Sequence, residues 1–312
     1  MASNQDNLTN FTNSLASFLD FLAAERNASS HTISAYKRDV NEFLQFLSPG
    51  KPENTTPTTK DVRKWLAALS KKGLKRTSIA RKLSSVRAFF KYLFRMGIVH
   101  YNPAEAVSFP VRSKPLPQNL TISQTVHIIE ETMANDFKSI RDRAILELLY
   151  STGMRVSELT GLDIDKVNLS LDTVRVMGKG RKERIIPFGS NAKVAIERYL
   201  PERDTLIKRL SKREEQAFFL NKNGGRLSQR SVQRIVSSSA LKAGIYAHVT
   251  PHVFRHTMAT HLLEAGADLR SIQELLGHSS VATTQKYTHL DMKSLRKAFE
   301  KAHPRASKKK TD

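Results

Sequence analysis

The chain has 312 residues, and 51 lysines and arginines against 29 aspartates and glutamates give it a formal net charge of +22. That balance suits a partner that is a polyanion, and a 39% hydrophobic share at this length is enough to fill two domain cores. With no cysteine, disulfide frameworks, Cys-ligated zinc or iron–sulfur centres and thiol nucleophiles are excluded, so any nucleophile is an oxygen or a nitrogen.

The first residues are polar and acidic, with no basic stretch leading into an apolar run, and no long uncharged apolar segment follows anywhere. The expectation is a soluble, cytoplasmic protein that does not engage a membrane. Leu15, Phe18, Leu19 and Leu22 mark a first amphipathic helix, and Ile33, Tyr36, Val40, Phe43, Leu44 and Leu47 a second. A third runs through Val62, Trp65, Leu66 and Leu69 to Gly73, and a fourth from Ile79 through Val86, Phe89 and Phe90 to Gly97. Four helices with short connections predict a bundle over residues 9–100.

The second helix pair is cationic. Lys60, Arg63, Lys64, Lys71, Lys72, Lys75, Arg76, Arg81, Lys82 and Arg87, followed by Lys91 and Arg95, stand against Asp61 alone. A merely solvated face mixes both signs, so this one is read as a surface that tracks phosphates.

Pro103, Pro110, Pro115 and Pro117 leave no room for a helix or strand of useful length, and residues 101–118 are read as an interdomain linker. A second domain, 119–300, follows. It opens with helical patterns at 123–134 and 139–151. The alternating residues 171–177 and 183–188 then flank Gly178, Lys179 and Gly180 as a β-hairpin with a cationic tip. A short strand is expected at 217–220, and helices at about 228–243, 251–265, 268–276 and 291–301. Residues 301–312 are read as a basic tail. The fold class is therefore mostly α with a small β component.

Thr250 at an N-cap and Pro251 at the first helical position start a helix, so that His252 and Arg255 share a face in its opening turn, where an anion is attracted. The rival reading is a metal site built from His252, His256 and His261. No Glu follows His252 in the zinc-protease spacing, and a cation beside Arg255 would be repelled, so no metal is expected and His256 and His261 are read as hydrogen-bonded structural histidines. Glu158 lies three residues after Arg155 and can brace its guanidinium. Tyr287 differs from Tyr36, Tyr92 and Tyr150, which sit in apolar stripes, because it lies in a polar stretch between His278 and His289.

Taken together and in this order, several segments resemble the catalytic domain of the tyrosine recombinases, the phage integrase family. They are Thr152-Gly153-Met154-Arg155, Gly178-Lys179-Gly180 with Lys182-Glu183-Arg184, His252 with Arg255 and His256, Leu276-Gly277-His278, and Thr283-Thr284 with Tyr287-Thr288-His289. Glu25-Arg26 with Ser29, Thr32 with Tyr36, Leu116-Pro117 and Ala302-His303-Pro304-Arg305-Ala306 look like its Xer subgroup, so the likeness covers almost the whole chain. Phe254 and Met258 depart from the pattern only in packing. No additional domain is read before the bundle, which favours the Xer subgroup over a mobile-element integrase.

The resemblance implies an N-terminal core-binding, SAM-like DNA-binding bundle and an α+β catalytic domain that close on duplex DNA as a C-shaped clamp. It implies that Tyr287 attacks the scissile phosphate to give a 3′-phosphotyrosyl bond, with Arg155 and Arg255 stabilising the transition state. Lys179 would be the general acid, His252 the candidate base, and His278 a donor to the phosphate. Glu158 supports this set, and neither cofactor, metal nor ATP is expected. The implied partners are a dif-like core site in double-stranded DNA and a second recombinase, or further copies of this chain, in a tetramer on two sites, with residues 291–306 docking on a neighbouring subunit. Resolution of chromosome or plasmid dimers before segregation is the role implied. Whether the protein acts alone or with a paralogous partner, and whether a septal DNA translocase activates it, stay open. A non-catalytic DNA-binding regulator leaves the ordered motifs accidental, and a phosphohydrolase leaves the cationic face at 60–95 without a purpose.

Overall fold

The computed structural model describes residues 7–26, 28–47, 56–108, 119–131, 135–178, 183–212, 215–277, 299 and 302–306. The chain divides into two compact units, Met1–Pro115 and Leu116–Asp312. No described helix is long and apolar enough to cross a membrane.

The first unit holds α1 (Asn7–Ala24), α2 (Ser30–Leu47), α3 (Thr59–Lys71) and α4 (Arg76–Arg95). Each apolar stripe read from the sequence faces one shared core, in which Phe43 meets Trp65 edge-on at 5.0 Å and Phe18 meets Phe89 at 5.4 Å. Helix α3 starts with a capping box: the Thr58 hydroxyl accepts from the Asp61 amide and the Asp61 carboxylate from the Thr58 amide. Asp39, buried on α2, ties that helix to α4 by accepting from Arg81, from Lys82 at 3.3 Å and from Ser85 at 2.8 Å, while Lys82 also bonds Glu42.

The start of the segment read as a linker belongs to this unit. Val99, Ala104 and Val107 enter its core, and Arg87 donates to the carbonyls of Ala104 (3.0 Å) and Val107 (2.5 Å). Carbonyls in a prolyl stretch lack a ladder to pair with, and the arginine supplies donors for them. Residues 109–118 lie outside those described.

The second unit is built on α6 (Phe137–Thr152), which is buried along most of its length. Around it stand α5 (Ile122–Glu130), α7 (Val156–Thr160), α8 (Ser190–Arg209), α9 (Gln229–Lys242), α10 (Pro251–Glu264) and α11 (Leu269–Leu276). An antiparallel sheet of β1 (Val167–Asn168), β2 (Thr173–Met177) and β3 (Glu183–Pro187) runs in the order β1-β2-β3, with Val174 opposite Ile186 and Val176 opposite Arg184. The hairpin is where the sequence places it; its tip, with Lys179, lies outside the described residues.

Two expectations change. Helix α8, not anticipated from the sequence, packs on α6; it buries Ala192, Ala195, Ile196 and Tyr199 in the main core and Leu206 and Ile207 against Ala217 and Leu220. Pro201 breaks the helical pattern on paper, but it sits on the exposed side, where water can satisfy the carbonyl its missing N–H leaves free. Residues 217–220 form isolated bridges, Asp163 with Ala217 and Leu220 with Arg226, in place of a strand.

The start of the expected basic tail is likewise interior. His303, Arg305 and Ala306 are buried in this chain's own second unit: Arg305 donates to both Glu147 oxygens, at 3.1 and 2.5 Å, and the Ser190 amide donates to the Ala306 carbonyl. A carboxylate as deep as Glu147 demands a cation, and Arg305 is the one supplied. Residues 302–306 of the segment expected to dock on a neighbour are thus seated in this unit, and 300 and 301 lie outside those described. Residues 291–298 and 307–312 lie outside those described.

Candidate active site

The site grows from the C-terminal ends of two helices. Helix α6 stops at Gly153, whose φ of 57° is left-handed, and a Cβ there would come within 3.0 Å of Met258 and Leu276. Only glycine meets both conditions. The Thr152 hydroxyl accepts from the Met154 amide, and the chain then re-enters a helix with Arg155 at the N-cap of α7. Helix α11 ends in the same way at Gly277, with φ 64°.

Three arginines meet at this junction. Successive carbonyls at the end of α11 each accept from a different one: Leu275 from Arg184 Nε (3.3 Å), Leu276 from Arg255 Nη2 (2.6 Å) and Gly277 from Arg155 Nη2 (3.3 Å). Arg255 Nη1 donates to the Gly153 carbonyl at 2.5 Å, so that one guanidinium caps both helices. Orphan carbonyls at a helix end carry the negative pole of the dipole, which is why the cations settle there.

Glu158 is the counter-charge. Its Oε1 accepts from Arg155 Nη1 (2.9 Å) and Arg184 Nη1 (2.8 Å), and its Oε2 from the Arg155 amide (2.7 Å) and Arg184 Nη2 (2.9 Å). Burial by itself raises the carboxyl pKa, and these bonds with the charge of Arg184 outweigh it, leaving the group below its ordinary value and ionised. Burial, then the nearby Arg155, lower the Arg255 pKa to about 10, which keeps the guanidinium charged at neutral pH. Three cations against one carboxylate leave a formal +2. Arg155, with its side chain 40% exposed, opens that charge to solvent. Such a place attracts an anion, and its fixed guanidinium donors suit one that carries more than one oxygen.

Arg155, Glu158 and Arg255 are therefore brought together as the sequence suggests. His252 lies one turn before Arg255 on α10 and is exposed, whereas Arg255 is buried. Of the other α10 histidines, His261 is structural, with Nδ1 against the Tyr150 hydroxyl (2.8 Å) and Nε2 against the Leu120 carbonyl (2.9 Å). His256, read as structural, is exposed. Lys179, His278 and Tyr287 lie outside the described residues.

Sequence reasoning missed Arg184. The signal was its register: strand alternation puts it on the face of Ile186, and a charged residue on a core face needs a buried partner. It also missed the outer face of α9, where Gln229, Arg230, Gln233, Arg234 and Lys242 are exposed with no carboxylate among them.

The cationic surface of the first unit divides. Lys60, Arg63, Lys64, Lys71, Lys72, Lys75 and Arg76 are exposed. Lys82 is buried against Asp39 and Glu42 and Arg87 is spent on backbone carbonyls, so these two hold the bundle together, while Arg81 pairs with Asp39 and stays about half exposed at 48%.

A family profile described as the phage integrase family matches residues 118–294, and one described as the phage integrase N-terminal SAM-like domain matches residues 15–97. The tyrosine recombinase XerC of Pelobacter propionicus is 45% identical over 288 residues, which are 91% of this chain and 93% of the relative. The chain belongs to the phage integrase family. It is a site-specific tyrosine recombinase of the Xer type, an enzyme acting on DNA. The XerC of Thermodesulfovibrio yellowstonii is 43% identical, over 95% of this recombinase and 98% of that one. Among solved structures, XerH bound to palindromic difH in a post-cleavage complex shares the fold with a TM-score of 0.68 at 23% identity, over 88% of this chain and 81% of the other. A lambda integrase dimer bound to a core site gives 0.63 at 20% identity, over 89% and 98%.

Proposed function

We propose that Tyr287 of this recombinase is the nucleophile and that the junction of Arg155, Arg255 and Glu158 is where the scissile phosphate sits. The observation that carries the reading is the surplus of guanidinium charge over one carboxylate at the end of α11, with Arg155 open to solvent and the chain running on from Gly277 to His278 and Tyr287. Tyr287 Oη forms a bond to phosphorus while the bond to the 5′ oxygen breaks. The phenol loses its proton, with His252 as base, and the leaving oxygen gains one from Lys179, while His278 donates to a non-bridging oxygen. A free phenol has a pKa of about 10, so roughly one in a thousand is ionised at neutral pH, and the cationic surroundings favour the phenolate. The free 5′-hydroxyl of a partner strand then attacks the phosphotyrosine. One phosphodiester replaces another, and no ATP is consumed.

Residues 9–100 form the core-binding domain in this reading and 119–300 the catalytic domain, each with its own contacts to DNA. The exposed cations of α3 and α4 and the outer face of α9 lie against phosphates and groove edges. Four subunits, of this chain alone or with a second Xer recombinase, assemble on two dif-like sites in the cytoplasm. There they resolve chromosome or plasmid dimers before segregation, with a septal DNA translocase as a candidate activator. The XerC relatives and the XerH–difH complex support this choice of substrate.

The test is a nicked duplex carrying a dif-like site, incubated with the wild type and with Tyr287→Phe, alone and with a candidate partner recombinase, then run on a denaturing gel. A protein–DNA adduct that is lost in the phenylalanine variant is the expected result. An adduct that persists in Tyr287→Phe overturns the assignment.

A further inference from the structure

Arg184 donates through Nε, Nη1 and Nη2, and all three bonds end on groups that build the candidate site: the Leu275 carbonyl, Glu158 Oε1 and Glu158 Oε2. Its side chain is only 7% exposed, so it does not reach DNA itself. Its guanidinium also fills the space beside Gly277, where a Cβ would meet its Cζ, Nε and Nη1 at 3.0 Å. It stands on β3, the returning strand of the hairpin whose tip carries Lys179. One buried side chain thus touches the brace of Arg155 and the α11 terminus from which His278 and Tyr287 follow.

We propose that Arg184 is a positioning residue for strand cleavage. By occupying one side of both Glu158 oxygens, it leaves that carboxylate only one donor from the Arg155 guanidinium, so that Arg155, whose Nη2 reaches the Gly277 carbonyl, keeps its solvent-facing edge for the scissile phosphate. Without Arg184, a buried carboxylate holding fewer donors draws the Arg155 guanidinium onto itself, and the end of α11 loses the donor at Leu275. A lysine keeps the charge but offers a point donor in place of a planar fork, so it cannot hold both oxygens and the carbonyl together.

The proposal rests on the reading of Arg155 as a phosphate ligand, and the test separates the two. Wild type, Arg155→Ala, Arg184→Lys and Arg184→Gln are compared for covalent adduct on the nicked duplex, once with the natural scissile phosphate and once with a methylphosphonate. The methyl group removes the charge that Arg155 would balance. DNA affinity and melting temperature are measured alongside. Arg184→Lys should melt near the wild type and bind DNA as tightly. It should cleave the phosphodiester more slowly, on the order of tenfold to a hundredfold as a misplaced catalytic group would dictate, and recover most of that deficit on the methylphosphonate, as Arg155→Ala does. Wild-type rates on the phosphodiester in both Arg184 variants would overturn the proposal. So would an equal deficit on both substrates, since that describes a generally damaged fold. If Arg155→Ala itself cleaves the phosphodiester normally, the phosphate-ligand reading fails and takes the proposal with it.

Discussion

His303 illustrates how a single residue near the end of the chain carries a pH dependence. It lies between the rings of Phe299, stacked at 4.7 Å, and Tyr150, and its Nε2 meets the Tyr150 carbonyl at 3.1 Å. Burial above all lowers its pKa to about 4. An unfolded histidine titrates near about 6.5, so between those two values the unfolded chain binds a proton that the folded chain refuses. Stability is then complete above about pH 6.5 and declines as pH falls toward 4, by about 2 kcal/mol on going from about pH 7.5 to 5. Melting curves at those two pH values should show His303→Asn losing less between them than the wild type. An equal loss in both proteins would refute the assignment. Arg305 beside it stays firmly charged: burial opposes the charge, and Glu147 more than offsets that.

At the scale of elements, α3 and α4 carry two kinds of cation that look alike in sequence. Lys64 and Lys71 are exposed, whereas Lys82 closes a buried link to Asp39 and Glu42. Lys64→Ala and Lys71→Ala should each flatten the slope of log affinity against log salt for DNA by about 0.9 while leaving the melting temperature unchanged. Lys82→Met should do the reverse, costing about 1–3 kcal/mol of stability as Asp39 loses a partner, with little change in the salt slope. Titrating binding at several salt concentrations, together with thermal melts, distinguishes them. The four bundle helices were legible because each has an apolar stripe and a clear stop. Helix α8 was not, since Pro201 interrupts its propensity and Arg203 interrupts its stripe, and only the carbonyls of Glu215 and Ala217 explain why an arginine can lie there.

For the whole molecule, the two units have separate cores, one running from Phe11 to Val107 and the other from Leu120 to Ala302. Residues 1–115 and 116–312, produced separately, should therefore each unfold in a cooperative transition by calorimetry. A fragment that shows no transition would mean that its core depends on the other unit. The second unit needs residues 302–306 for this, since Glu147 would otherwise lie buried without Arg305.

By itself the sequence determined the helical bundle, the hairpin, and the glycine stops that end α6 and α11. These are matters of local period, capping and backbone freedom, which act over a few neighbouring residues. Only the tertiary structure decided which charges are spent inside. Arg184 finds Glu158 across 26 positions, Lys82 finds Asp39 across 43, and Arg305 finds Glu147 across 158. Such pairings arise because a buried charge needs an opposite one within reach, and reach is a property of the folded chain, not of spacing along it.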